Sequence, residues 1–189
     1  MSEISPEVSE VDPGKLKLVL HPHPALRRQS RDVPINENGF VEPDLVRAVA
    51  ERMKKVMRSM GERAIGLAAN QVGLDWKMFI CLDDLNSEAR SENISVYINP
   101  KILSFFGVEV AEEGCLSFPG IKGMVSRPSA IHVQHYDLDG IEHSMLLSGL
   151  QARCYLHELD HLLGVNIIDK FNDADKRLNR AAIDRLASK

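Results

Sequence analysis

One stretch constrains this chain more than any other: Ser148 to Gly164 is bracketed as a helix and carries His157-Glu158-Leu159-Asp160-His161. Ser148 with Gln151 three residues on matches a capping box, and Gly164 stands where a left-handed residue ends a helix. At 3.6 residues per turn, His157 and His161 fall one turn apart on the same face. Two imidazoles so placed can share one metal ion, and Glu158 beside the first can accept a proton from water on that ion. Alone, the pattern also fits two ordinary histidines and a solvated acid.

Strands are predicted at Trp76 to Leu82, Ile94 to Ile98 and Ala130 to Tyr136, the last from the alternation around Ile131 and Val133. Asp139-Gly140 predicts a hairpin turn into a further strand near Ser144 to Leu147. From Pro43, residues Leu45, Val49, Met53, Val56, Met57 and Met60 recur at three- and four-residue steps, which predicts a helix stopped by Gly61 with its methionines in the core. A C-terminal helix is expected over 174–189, with Leu178, Ala182 and Leu186 on one side and Lys176, Arg177, Arg180 and Arg185 around it. The expected fold is α+β: mostly antiparallel β-sheets packed around the central H-E-x-x-H helix, with an additional helix in the N-terminal half and the C-terminal one.

The chain has 189 residues, 44% of them apolar, which suits a single domain over 1–189. Glu3, Glu7, Glu10 and Asp12 account for the net charge of -4, and residues 1–14 read as a flexible acidic tail. A formally neutral body gives no global sign of nucleic-acid binding. Three cysteines, an odd number, do not make a secreted disulfide framework, so Cys81, Cys115 and Cys154 read as thiols free for packing or metal. No apolar run approaches the roughly 18 residues of a membrane span, and the acidic N-terminus has no signal-like core.

A catalytic site of this kind needs a third protein ligand and one open position. Downstream of His161 there is no histidine or glutamate, leaving Asp169, Asp173, Asp175 or Asp184. Upstream, Cys115 lies in Glu112-Glu113-Gly114-Cys115-Leu116-Ser117-Phe118-Pro119-Gly120, where glycines and a proline mark irregular backbone suited to an exposed thiolate. A third segment, Ala64-Ile65-Gly66-Leu67-Ala68-Ala69-Asn70-Gln71, has small residues that admit a bound backbone, and Gln71 offers amide hydrogens to an oxyanion. The open readings are a Cys/His/His hydrolase, a zinc endopeptidase using His157, His161 and Asp169, and a non-catalytic metal- or ribosome-binding module.

Taken together and in order, these three segments resemble the peptide deformylase family, with its G-φ-G-φ-A-A-x-Q, E-G-C-L-S and H-E-x-D-H motifs at Ala64 to Gln71, Glu113 to Ser117 and His157 to His161. The resemblance runs from about Leu18 to Gly164, and Phe118-Pro119-Gly120 looks like the bacterial and plastid-type branch. Ala64 departs from the pattern, where the family usually has glycine, and is tolerable if its φ is negative.

The resemblance implies removal of the formyl group from N-formylmethionyl nascent peptides by metal-bound hydroxide, with Glu158 as general base and acid. It implies Cys115, His157 and His161 as metal ligands, Gln71 and the Leu116 backbone N–H as oxyanion donors, and Ile65, Gly66, Leu150 and Cys154 as substrate-binding residues. Leu150, Cys154 and His157 share a helix face by their spacing of four and three. The implied cofactor is one divalent ion, Fe2+ first, with Ni2+, Co2+ or Zn2+ able to substitute. Arg127 is open to two readings, a brace on Glu113 near the cysteine loop or a plain surface arginine. The implied setting is the bacterial cytoplasm, or a plastid or mitochondrial matrix if a transit peptide was trimmed; the cationic last helix suits either docking on the ribosome near its exit tunnel or, first of the two, a solvated amphipathic helix packed on the domain.

Overall fold

A computed structural model describes residues 11–61, 64–83 and 93–188. Two short strands, β1 (Ile35–Asn36) and β2 (Gly39–Phe40), precede helix α1 (Pro43–Ser59). Next come β3 (Gly66–Ala68), β4 (Met78–Leu82), β5 (Ile94–Phe106), the hairpin of β6 (Glu109–Cys115) and β7 (Phe118–Arg127), then β8 (Ala130–Tyr136) and β9 (Glu142–Ser148). Helices α2 (Gly149–Leu162), α3 (Ile167–Lys170) and α4 (Asp173–Ala187) finish the chain. The main sheet runs β3-β4-β5-β8-β9, antiparallel at every step, while β6 and β7 form a separate two-stranded sheet. The α+β class and the antiparallel sheet around the histidine helix are as expected.

Strand β4 shows how the layers stack. All five of its side chains are buried, and because successive residues face opposite sides of a sheet, they serve two cores. Met78, Ile80 and Leu82 cluster with Val46, Val49, Ala50, Met53, Val56 and Met57 of α1. Phe79 and Cys81 cluster with Ala152, Cys154, Tyr155 and Leu156 of α2. Each fully buried large aliphatic side chain contributes about 1.5–3 kcal/mol, so the two faces pin α1 and α2 firmly to the sheet. The other side of α2 meets the β6–β7 hairpin, whose Phe118, Ile121 and Val125 pack in turn with Ile167, Phe171 and Leu186. Helix α2 is therefore held between two sheets, the setting in which a helical side chain can be both buried and close to strand residues.

Several expectations change. Strand β5 continues through Asn99-Pro100 to Phe106 instead of stopping at Ile98. Asn99 takes a φ of 50°, and its side chain bonds both the N–H and the C=O of Val33, so a bulge absorbs the proline that would otherwise end the ladder. The Ser148–Gln151 capping box does not form: Ser148 is the last residue of β9, and the Gln151 amide reaches the carbonyl of Asp83. Leu178 of α4 points to solvent, since the helix packs through Leu186 and Asn179 instead. Met60 is exposed just beyond α1. Of the expected acidic tail, residues 1–10 lie outside the described residues, and Pro13–Lys15 form a 3-10 turn capped by Asp12. No helix among the described residues is long and apolar enough to cross a membrane.

Candidate metal centre

Helix α2 supplies His157 and His161, and the end of β6 supplies Cys115, so the ligand atoms come from the helix and from the smaller of the two sheets that hold it. They lie within 4.8 Å of one another, with Cys115 Sγ 3.2 Å from His161 Nε2. Cys115 was expected in irregular backbone. It is instead the terminal strand residue, at a register shift where it pairs with Phe118, and the bulge turns its side chain toward the helix.

The neighbours of these atoms are set as a metal site requires. His157 Nδ1 meets Glu113 Oε2 at 3.0 Å, which leaves Nε2 to face the centre. Gln71 accepts from the Ala68 N–H at 2.9 Å, and this fixes which way its amide turns. Its Nε2 then donates to Ser117 Oγ at 3.2 Å and to Cys115 Sγ at 3.5 Å. The Asn70 amide holds the backbone carbonyl of His161. Burial keeps His161 neutral, its pKa lowered further by His157 and Arg127.

Two buried polar atoms, His161 Nδ1 and Glu158 Oε2, have no hydrogen-bond partner. Burial pushes the Glu158 carboxyl up to about 7, against the pull of His157 and Arg127. A soft thiolate, two imidazoles and a carboxylate not committed to any protein donor fit one divalent cation of the borderline class.

Glu113 is the hub that joins helix to hairpin. It accepts from Arg127 Nε at 2.6 Å and Nη2 at 2.9 Å, and from Arg153 Nη1 at 2.7 Å. Burial would raise its pKa, but hydrogen bonds from His157 and Arg127 hold it down at about 2. Arg127 also reaches Asp160 at 2.8 Å, while Arg153 donates to the carbonyls of Val125 and Glu109, both at 3.0 Å. Removing one partner from so buried a network costs about 3–5 kcal/mol, because the others are left charged and unpaired. Of the two readings open for Arg127, the structure has the brace on Glu113, with the arginine buried. Arg153 and Asp160 were missed, although 153, 157 and 160 share a helix face by their spacing of four and three.

The substrate-side residues divide. Gly66 touches the centre: a Cβ there would lie 2.5 Å from Glu158 Oε1 and 2.9 Å from Cys154 Sγ. Cys154 Sγ also contacts the Ile65 carbonyl at 3.4 Å. Gly66→Ala is therefore expected to displace Glu158 and to lower kcat/KM about a hundredfold with the fold retained, as steady-state kinetics beside circular dichroism would show. Leu116 follows Cys115 in the turn before β7 and is half-buried, whereas Leu150 stands half exposed in the first turn of α2. Ala64 is buried and has no positive φ, so the methyl that departs from the family glycine is accommodated. Asp169 lies with Arg27, 3.2 Å from its Nη2, and accepts from the Asn166 N–H, so it does not join the histidines.

The polypeptide deformylase family model matches residues 15–177. The chain belongs to the polypeptide deformylase family. Among curated relatives, a peptide deformylase of Prochlorococcus marinus is 42% identical over 140 residues, covering 72% of this chain and 67% of its own length. One from Rhodopirellula baltica is 36% identical over 164 residues, covering 86% of this chain and 76% of its own. A crystal structure of Plasmodium falciparum peptide deformylase superposes with a TM-score of 0.81 at 35% identity, covering 91% of this chain and 95% of that one. As a polypeptide deformylase the chain is a hydrolase that removes the N-formyl group from newly made polypeptides, within a metal-dependent family.

Proposed function

We propose that Cys115, His157 and His161 hold one divalent cation for this hydrolysis and that Glu158 carries the proton. The observation that supports this best is the meeting of those three ligand atoms beside a buried carboxylate whose Oε2 has no protein partner. A cation held there lowers the pKa of water and polarises the formyl carbonyl. Glu158 takes the proton from the attacking water and passes it to the methionine nitrogen as the amide breaks. Gln71 Nε2 and the Leu116 backbone N–H donate to the oxygen on which negative charge develops, and the Ala68 bond keeps the Gln71 amide facing it.

Gly66 leaves room for an extended substrate backbone next to Glu158. Ile65 and Cys154 line the methionine pocket, and Leu150 forms its rim at the open end. Glu113, Arg127 and Arg153 keep α2 and the β6–β7 hairpin in register so that thiolate and imidazoles stay together. We read 1–189 as one catalytic domain and Fe2+ as its working ion, a choice consistent with a mixed thiolate and imidazole donor set that also accepts Ni2+, Co2+ or Zn2+. Formylated chains place the enzyme in a bacterial cytoplasm or an organelle matrix. Anaerobic, iron-loaded protein is expected to release formate from formyl-Met-Ala-Ser and nothing from the acetylated peptide. Equal turnover of both would remove the formyl specificity.

Helix α4 is read as a ribosome-docking element. A cavity of about 530 Å³ between α3 and α4 is lined by Lys176, Arg177, Arg180, Asp169, Ile168 and Ile183. Its cations suit RNA phosphates, while the helix is anchored from behind by Asn179 Nδ2 on the Lys122 carbonyl at 2.8 Å. Reversing all three cations to glutamate should abolish co-sedimentation with ribosomes at low salt and leave hydrolysis of free peptide unchanged. Undiminished co-sedimentation would end the docking reading.

A further inference from the structure

Two thiols meet behind the proposed methionine pocket. Cys81 of β4 and Cys154 of α2 bring their Sγ atoms to 3.0 Å, and each residue is about 95% buried, being 5% exposed. Neither is a ligand of the centre built on Cys115. The contact depends on a glycine: Cys81 pairs directly with Gly66 across the β3–β4 ladder, and a side chain at Gly66 would crowd the space Cys154 uses to reach the sheet. The two sulfurs are thus pressed together by α2 packing on β4, with Cys154 on the side of Gly66 and Glu158. A disulfide needs about 2.05 Å, so the sulfurs have to close by only about 1 Å.

We propose that Cys81 and Cys154 are an oxidation site that a small peroxide, admitted through the substrate pocket, closes to a disulfide. Cys154 sulfur attacks one peroxide oxygen and the O–O bond breaks. A sulfenic acid forms on Cys154, and water leaves with the thiol proton. Cys81 sulfur then attacks Cys154 sulfur; the S–S bond forms, the S–O bond breaks, and the departing hydroxide takes the Cys81 proton as a second water. Two thiols lose two electrons and hydrogen peroxide is reduced to two waters. Cys154 lies on the side of Gly66 and the proposed pocket and so meets the peroxide first, while burial keeps Cys81 protonated until the sulfenic acid forms beside it. The new bond draws Cys154 Sγ away from the Ile65 carbonyl and reshapes the pocket wall, a consequence that rests on Cys154 lining that pocket.

The test uses nickel-loaded protein, so that oxidation of iron plays no part and Cys115 is engaged. Hydrogen peroxide is expected to lower the intact mass by about 2 Da, to link the peptides containing Cys81 and Cys154, and to be reversed by dithiothreitol. Cys81→Ala and Cys81→Ser should show no such loss. The oxidised wild type should show a KM for formyl-Met-Ala-Ser raised about fivefold, with peroxide-treated Cys81→Ala unchanged. Peroxide that adds about 16 or 32 Da at Cys115 while both other thiols still alkylate would overturn the proposal. A disulfide with unchanged KM would uphold the thiol pair and instead remove Cys154 from the methionine pocket.

Discussion

Glu158→Ala is expected to lower kcat for formate release roughly a thousandfold while metal per chain stays at the wild-type value. The carboxylate is 4% exposed, and its Oε2 meets no protein donor, so its removal takes away a proton carrier and no structural bond. The melting temperature should therefore not fall, in line with active-site groups that are kept at a cost to stability. Glu158→Gln keeps the shape and cannot accept a proton; an equal loss in that variant separates proton transfer from packing. Metal analysis beside single-turnover kinetics decides the matter. If either variant kept more than about a tenth of the wild-type rate, the proton role would belong to another group.

Cys115→Ser should weaken metal binding by more than about a hundredfold and take activity with it. A serine hydroxyl at the end of β6 keeps the strand register but is not deprotonated at neutral pH, so the site falls to two imidazoles. Cys154→Ser is the control: it alters a buried thiol that is not a proposed ligand and should retain metal in full. Dialysis against a competing chelator followed by elemental analysis gives the comparison. Full metal content in Cys115→Ser would move the third ligand to a carboxylate and revive the endopeptidase alternative.

How far these groups could be recognised in the chain alone depended on how local they are. Helix α2 was legible because a four-residue step and a terminal glycine are consequences of helical geometry within one segment; Gly164 has its φ of 73° and passes close to the Arg27 carbonyl, as a helix-ending glycine can. Strand β8 and the Asp139-Gly140 turn were legible for the same reason. The β6–β7 hairpin was not, because its glycines and proline resemble a loop until Arg127 on Asp160 and Arg153 on the Glu109 and Val125 carbonyls tie both strands to α2. Strand β5 beyond Asn99 was hidden likewise, since only the distant Val33 backbone accounts for the bulge that admits Pro100.

Legible in the chain alone were two imidazoles one turn apart, a glutamate between them, and a thiol and an amide in separate small-residue segments, all in the order of one family. Spacing along a helix is set by covalent geometry and needs no tertiary contact. The tertiary structure alone decided which groups share the buried space. It put Cys115 3.2 Å from His161, gathered Glu113, Arg127 and Arg153 behind His157, and pressed Cys81 against Cys154. Those meetings come from packing α2 between two sheets, and packing depends on residues far apart in the chain competing for the same volume.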